Sequence, residues 1–404
     1  MVTEHRSRPG WGQRVCRMSR FATLLTQRSR FATRLTKRIC VLFSVTVGFV
    51  LVGAVLLWTR AEASVVEGPL GGAALAADSD YRVSYVFRFT PTLQTFNAFT
   101  VPTVGAAPDG LAVYNGPSTT EVWFAESGAD QIGRLVYTST ADYIFQEYGL
   151  PAGSRPLNVV VDSSGDAWFT ENGRSRIGYV DASTGITHEF PISTTDVAPV
   201  DLDIAPDGSI WFTERATDHI GQLVVTSTTD FHVREFYVEY ADKGLAGVLA
   251  QENDKIWAIL GNAERIVRLK PSVPDVYPTG ALDSIGYPSM LASGSGGSSL
   301  WFTELRGNHV SLFIVSTLEW GLRYTVPTTN SRPYNLDLDS NGDVWFGEQL
   351  GGKIGRLANS TRTFTEFPVP LQHAHVQGLD VDANDVVWFV ADTWYRVSLP
   401  VVLR

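Results

Sequence analysis

Short apolar runs, separated by polar turns, recur along the chain at a nearly constant distance. The fullest copies read Pro-x-x-apolar-x-apolar, then a turn, then a run centred on Trp-Phe, as in residues 156–161 and 167–171. Short runs rich in β-branched and aromatic side chains, joined by turns with Gly, Asp or Asn, are typical of β-hairpins. The pattern therefore predicts an all-β chain built from repeated units.

One tryptophan marks each unit. Seven of the eleven tryptophans mark the units, with separations of 45, 43, 46, 44, 44 and 43 residues: Trp123, Trp168, Trp211, Trp257, Trp301, Trp345 and Trp388. A period of this length is the signature of a four-stranded propeller blade. The sequence predicts a seven-bladed β-propeller of four-stranded antiparallel blades over residues 81–404. Within it, Pro271–Ser284 is expected to be an exposed irregular loop.

The ring needs a seam, because the last blade reaches the end of the chain. Its strands are predicted near Gly378–Asp382, Val387–Ala391 and Tyr395–Leu399. Thr95–Val101 resembles the fourth strand of the other units, and we expect it to pair with the C-terminal strand and close the ring. Val83–Phe89 resembles a further third strand, which the pattern assigns to no blade.

The N-terminal segment differs in composition from the repeats. Residues 1–63 contain eleven Lys/Arg and two Asp/Glu, a net charge of +9, which leaves −19 on residues 64–404. Residues 1–38 are basic, residues 39–58 form an almost wholly apolar run without charge, and residues 59–80 show no periodicity. About 20 apolar residues span the ~30 Å hydrocarbon layer of a bilayer.

Positive charge on the N-terminal flank favours a cytoplasmic N-terminus. We therefore predict a basic cytoplasmic segment, one transmembrane helix or long signal sequence, a flexible tether and an extracytoplasmic propeller. A single-pass protein of the bacterial cell membrane is favoured, and secretion after cleavage is the alternative.

Charge and cysteine content exclude two classes of function. Nucleic acid is not an expected partner, because phosphate binding needs a basic face and the repeat domain is acidic. Both cysteines, Cys16 and Cys40, lie in the N-terminal segment. The repeat domain therefore has neither disulfides nor thiol chemistry.

Candidate site residues follow from blade geometry. The start of strand one and the end of strand two meet on one face, so the residue after the repeat proline is expected to line a ligand funnel. These residues include Asp109, Leu157, Val200, Ser289, Tyr334 and Gln377. The next position holds Asn158, Asp201 and Asn335, whose oxygens suit Mg²⁺ or Ca²⁺. The alternative is that they satisfy backbone groups of the strands.

Five units end strand two with a glutamate. These are Glu126, Glu171, Glu214, Glu304 and Glu348. A residue used in five equivalent places is more typical of structure than of a reaction centre. We expect each carboxylate to accept backbone N–H bonds, with a cation-binding ring as the alternative.

The motifs Trp-Phe-Thr-Glu, Ile-Gly-Arg-Leu and Glu-Phe-Pro, at this period and in seven units, resemble the virginiamycin B lyase (streptogramin B lyase) family. The resemblance covers about Tyr81–Leu399. It implies a Mg²⁺-dependent lyase that opens a cyclic depsipeptide antibiotic by elimination. In the family, histidines follow the repeat proline in the last two blades, and a glutamate two residues before the last histidine binds the metal.

This chain departs from the family pattern at those positions. The two histidine positions hold Tyr334 and Gln377, and the metal glutamate position holds His375, the second residue of a His-x-His pair. A second metal carboxylate, at the end of strand two of the last blade, is matched by Ala391, with Asp392 following. Elimination needs a base; the candidate catalytic residues are His375, Gln377 and Tyr334, none of which the pattern assigns firmly.

Three functions stay open. One is a binding propeller that takes a small molecule, peptide, glycan or protein at its funnel, without lyase activity. Another is a carbon–oxygen lyase of the virginiamycin B lyase type. The third is a metal-dependent lactonase or esterase of the gluconolactonase type, with calcium held by the three oxygen-bearing residues.

Overall fold

The computed structural model describes residues 79–239, 244–272, 275–278 and 286–397. These residues form seven four-stranded antiparallel sheets, whose first strands contact one another around a closed ring. The predicted seven-bladed propeller is confirmed. The predicted segments 1–38 and 39–58, and all but the last two residues of 59–80, lie outside the described residues. No helix in the described part of the chain is long and apolar enough to cross a bilayer.

The strands follow one another in chain order, with four strands in each blade. Blade 7 takes its third and fourth strands from the N-terminal side, as β1 (Ser79–Thr90) and β2 (Thr95–Thr100). Blades 1 to 3 comprise β3 (Pro108–Asn115), β4 (Thr120–Glu126), β5 (Gln131–Ser139), β6 (Asp142–Gly149), β7 (Pro156–Val161), β8 (Ala167–Glu171), β9 (Arg176–Val180), β10 (Thr187–Pro191), β11 (Pro199–Ile204), β12 (Ile210–Glu214), β13 (His219–Ser227) and β14 (Asp230–Tyr237). Blades 4 to 6 comprise β15 (Leu245–Glu252), β16 (Lys255–Leu260), β17 (Arg265–Lys270), β18 (Asp275–Pro278), β19 (Pro288–Ser293), β20 (Ser299–Glu304), β21 (His309–Ile314), β22 (Glu319–Thr325), β23 (Pro333–Leu338), β24 (Val344–Glu348), β25 (Lys353–Leu357) and β26 (Phe364–Pro368). Blade 7 ends with β27 (His375–Val381) and β28 (Val387–Val397), and a 3-10 turn at Ser295–Gly297 precedes β20.

The Trp-Phe dipeptide joins each blade to both of its neighbours. Adjacent residues of a strand point to opposite faces of the sheet. Trp123 accordingly packs with Phe169 of the following blade, whereas Phe124 packs with Trp388 of the preceding blade. The apolar core thus consists of seven clusters, each shared by two blades. A single blade would leave both aromatic faces in water, so the blades stabilise one another.

The aspartate that ends strand one holds the tryptophan. In blade 6, Asp339 Oδ2 accepts a hydrogen bond from Trp345 Nε1 at 3.0 Å, and its Oδ1 accepts two backbone N–H groups of the turn. Asp382 does the same for Trp388 in blade 7. One carboxylate therefore shapes the first hairpin and satisfies a buried indole donor.

The glycine of Ile-Gly-Arg is required by the phenylalanine beside it. Gly355 pairs with Phe346, and a Cβ at Gly355 would lie 2.1 Å from the ring carbon Cζ. The same contact occurs in three other blades. The arginine of the motif covers the tryptophan, with the Arg356 guanidinium carbon 5.7 Å from the Trp345 ring centroid. The Trp-Phe pair therefore explains both the glycine and the arginine of strand three, which covers it.

Ring closure differs from the prediction. β28 does not end near Ala391 but continues to Val397, and it pairs along its whole length with β1. The predicted third strand near Tyr395–Leu399 is therefore wrong. Thr95–Val101 does contain the fourth strand, β2, but β2 pairs with β1 and not with the C-terminal strand.

The unassigned Val83–Phe89 segment is the missing third strand of blade 7. Phe87 stands where four other blades have glycine, and its ring stacks on Phe389 at 5.0 Å between centroids. Arg88 keeps the place of the motif arginine, 5.8 Å from the Trp388 ring centroid. The ring is closed by two N-terminal and two C-terminal strands.

Blade 4 corrects one further expectation. Pro271–Ser284 was predicted to be irregular, but it contains β18, which pairs with β17 and completes the blade. The fourth strand forms there as in the other blades, although the local sequence has few residues that favour a β-strand.

Candidate functional site

The first strands of the seven blades surround a central channel. It encloses a cavity of about 340 Å³, lined by the second to fifth residues after the repeat proline. The polar side chains in the lining are Asn158, Asp201, Asp203, Ser293, Asn335, Asp337 and Asp380. The six predicted funnel residues, one position earlier, do not line this cavity. Channel and funnel are therefore separate places in the molecule.

The three predicted metal residues all line the channel, and two of them are in contact. Asn158 Nδ2 donates a hydrogen bond to Asp201 Oδ1, and Asp201 Oδ2 accepts the Val248 backbone N–H at 2.7 Å. These bonds link blades 2, 3 and 4. Asn335, in blade 6, has a buried Oδ1 without a hydrogen-bond partner among the described residues. Asn158 and Asp201 thus satisfy polar groups of the strands.

Sequence reasoning missed three further channel carboxylates. Asp203, Asp337 and Asp380 each accept a backbone N–H of the following blade, at 2.7 to 2.9 Å. Burial raises the pKa of Asp203 to about 6 and that of Asp201 to about 7. Burial also raises the pKa of Asp337 and Asp380; at Asp380 the neighbouring Asp337 charge adds to the effect. These aspartates fasten blade to blade.

The five repeat glutamates lie inside their blades and do not line the channel. All five are 0% exposed. Neither oxygen of Glu126 has a hydrogen-bond partner among the described residues, whereas Glu304 accepts bonds from Ser311 and Arg323. The expectation that each glutamate accepts backbone N–H bonds is wrong in the described part of the chain. The Glu126 side chain leans over Gly133 of β5 toward Glu147 of β6.

The starts of the seven first strands form a rim at the face of the propeller where the second strands end. We call this rim the mouth. Of the six predicted funnel residues, Val200 and Ser289 are buried. The others are partly exposed: Asp109, Leu157, Tyr334 and Gln377. Arg215, which follows the glutamate of blade 3 and bonds to Ala198 beside the start of β11, joins them and was not predicted.

Charges from several blades meet at the mouth. Burial raises the pKa of Asp109 to about 6, while the positive charges of Arg82 and Arg215 oppose the rise. Burial also raises the pKa of Tyr334 well above its ordinary value, and the Asp109 charge adds to this. Tyr334 is therefore a neutral hydrogen-bond donor near pH 7, whereas Asp109 is mostly ionised there.

Two of the candidate catalytic residues, Gln377 and His375, lie in blade 7. Gln377 Oε1 accepts a hydrogen bond from Gln349 Nε2 at 2.9 Å. His375 pairs with Asp392 across β27 and β28. The Asp392 carboxylate is fully buried and forms an ion pair with Arg82 of β1. N-terminal and C-terminal strands therefore meet in a charged contact at the mouth.

Comparison with known proteins shows which proteins the chain resembles. The model of the virginiamycin B lyase family matches residues 85–209. The virginiamycin B lyase of Nocardia farcinica is 27% identical over 246 residues, which are 60% of this chain and 77% of that protein. This chain is a virginiamycin B lyase-like seven-bladed β-propeller.

Solved structures agree with the lyase-like fold. A streptogramin B lyase has a TM-score of 0.65 at 24% identity, covering 78% of this chain and 98% of that chain. A catalytically inactive histidine-to-alanine variant of the virginiamycin B lyase from Staphylococcus aureus, with quinupristin, has a TM-score of 0.62 at 23% identity, covering 76% and 99%. At this identity the likeness shows a shared fold.

The mouth of this lyase-like propeller does not fit the Mg²⁺ site that the family resemblance implies. Among residues 79–239, 244–272, 275–278 and 286–397, no three or more His, Cys, Asp or Glu side chains are grouped to hold a metal ion. The second metal carboxylate position holds buried Ala391. The next residue, Asp392, already faces the Arg82 guanidinium, which would oppose a cation.

Proposed function

We propose that this propeller binds a ligand at its mouth and does not carry out the elimination reaction of the lyases. The observation that carries the proposal is the pair of side chains at the family's histidine positions. Tyr334 has a pKa raised by burial, so its phenol stays protonated, and the amide of Gln377 is not basic. Neither can remove a proton in the way that an imidazole does.

The remaining groups at the mouth support binding. Asp109 and Tyr334 are partly exposed and come from blades 1 and 6, and exposed Arg215 comes from blade 3. Polar groups that different strands bring to one end of a ring are typical of a ligand site.

We further propose that the propeller works outside the cytoplasm, held by residues 39–58. The support is the apolar run with its basic N-terminal flank. Protease added to intact cells should remove the propeller from the cell surface or periplasm and leave a membrane-bound N-terminal fragment. A propeller that becomes accessible only after lysis of the inner membrane would contradict this location.

Quinupristin, found with the Staphylococcus aureus lyase variant, provides the test of function. The full chain and an active streptogramin B lyase are incubated with quinupristin and Mg²⁺, and ring opening is followed by mass spectrometry. We expect linear product with the active lyase and unchanged quinupristin with this chain. Repeated turnover by this chain would refute the proposal.

A further inference from the structure

Three polar groups at the mouth have free hydrogen-bonding capacity. The Asp109 carboxylate and the Tyr334 hydroxyl make no hydrogen bond with the described residues, and neither do the terminal nitrogens of Arg215. Arg215 is nonetheless held in place, because its Nε donates to the Leu245 carbonyl at 3.3 Å and its backbone N–H donates to Ala198. The Arg215 guanidinium is therefore held in place while its terminal nitrogens can still donate to a ligand.

These groups lie around the mouth, each at or beside the start of a first strand. The charge of Arg215, in blade 3, acts on Asp109 in blade 1 and on Tyr334 in blade 6. Arg215 Nε bonds to the Leu245 carbonyl at the start of β15, so its side chain lies over the starts of the first strands, where Asp109 and Tyr334 also stand in β3 and β23. No ion pair within 4.0 Å joins Arg215 to Asp109 in the described part of the chain. The propeller thus holds two opposite charges near each other and keeps them apart.

The arrangement decides which ligand charge is favourable. An anion alone would approach Arg215 against the field of Asp109, and a cation alone would approach Asp109 against the fields of Arg215 and Arg82. A ligand with both charges satisfies both groups and leaves neither charge desolvated without a partner. Leu157 and the ring of Tyr287, which also acts on Tyr334, add apolar surface at the same rim.

We infer that the mouth binds a zwitterionic small molecule of the amino-acid type, with its carboxylate on Arg215 and its ammonium group on Asp109. The Tyr334 hydroxyl donates to the same carboxylate. The inference rests on the proposed binding function and names the ligand class for that site.

Three related compounds test the charge requirement. L-phenylalanine carries both charges, N-acetyl-L-phenylalanine lacks the ammonium group, and L-phenylalanine amide lacks the carboxylate. Binding to the full chain is measured at pH 7.5 by calorimetry or by chemical-shift changes. Because hydrogen bonds to charged groups are strong, we expect L-phenylalanine to bind about tenfold or more tightly than either blocked compound.

Variants assign each charge to its residue. Arg215→Gln should reduce the affinity for L-phenylalanine about tenfold and should not weaken binding of the amide, because it removes a charge that repels that cation. Asp109→Asn should also reduce the affinity for L-phenylalanine, and it should not weaken binding of the N-acetyl compound, because it removes a charge that repels that anion. Arg174→Gln is the matched control, because Arg174 lies on the same face but is paired with Glu189. Exposed Arg215 is replaceable without loss of the fold, which circular dichroism checks.

A pH profile gives an independent readout. Wild-type affinity for L-phenylalanine should fall as pH drops through about 6, since Asp109 then takes up a proton, and this fall should be absent in Asp109→Asn. Equal affinity for the three compounds, or no binding of L-phenylalanine, overturns the inference. Either result leaves the proposed function standing if quinupristin is not opened, whereas opening of quinupristin refutes that function whichever compound binds.

Discussion

Replacement of Glu126 by glutamine is expected to stabilise the propeller at high pH. Glu126 is fully buried in blade 1, and neither of its oxygens has a hydrogen-bond partner among the described residues. Burial, with a smaller contribution from the Glu147 charge, raises its pKa from 4.5 to about 8. The folded protein therefore keeps this proton at neutral pH, whereas the unfolded chain releases it.

The size of the effect follows from the two pKa values. A carboxyl group with a raised folded pKa contributes stability that is lost as pH rises from the unfolded to the folded value. Between 4.5 and about 8, the loss can reach about 5 kcal/mol at ~1.4 kcal/mol per pH unit. Glutamine does not titrate. The gain in unfolding free energy of Glu126→Gln should thus be about 2–5 kcal/mol at pH 8 and near zero at pH 4.5.

Urea unfolding between pH 4.5 and 8.5, followed by tryptophan fluorescence, measures this difference. Glu304→Gln is the matched control, because Glu304 occupies the same place in blade 5 but pairs with Arg323 and accepts a bond from Ser311 at 2.6 Å. Its replacement should destabilise the protein at neutral and alkaline pH. If the two proteins, Glu126→Gln and wild type, differ by a constant amount across the pH range, the reasoning is refuted.

Three further changes test packing and charge. Gly355→Ala places a methyl group in the ring of Phe346 and should cost about 2 kcal/mol, seen as a lower calorimetric Tm; an unchanged Tm would contradict the contact. Asp382→Ala leaves a buried indole and two turn N–H groups without their acceptor, and should lower the unfolding free energy by about 2–3 kcal/mol in urea titrations. Arg82→Met leaves Asp392 buried and unpaired, at a cost of about 3 kcal/mol. That loss should be larger at pH 8 than at pH 5, because a protonated Asp392 tolerates burial, and a loss independent of pH would argue against the ion pair.

The number of blades could be predicted because the tryptophan is required in every interface. Each indole fills the space between two blades, so its period persists where other residues vary. The closure could not be fully predicted, because Phe87 replaces the glycine that marks strand three in four other blades. Only Arg88 keeps the motif there, and one residue is too weak a signal to place a strand.

The site was predictable only in part. The repeat pattern placed Asn158 and Asp201 at equivalent positions of adjacent blades. The hydrogen bond between them could not be predicted, because it depends on the distance between the blades. Asp203 alternates with apolar residues as any strand residue does, so its bond to the next blade leaves no mark in the sequence. Arg215 reaches the start of β15 through its long side chain, which bonds to the Leu245 carbonyl, and the sequence carries no sign of that direction.

The central claim is that the mouth binds without removing a proton from its ligand. A single-turnover experiment tests it most directly, with the full chain in large excess over quinupristin, Mg²⁺ present, and mass spectrometry at intervals from seconds to hours. The account predicts intact quinupristin at every time point. Linear product that forms with the wild-type chain, and is lost in Asp109→Asn or His375→Ala, would contradict it.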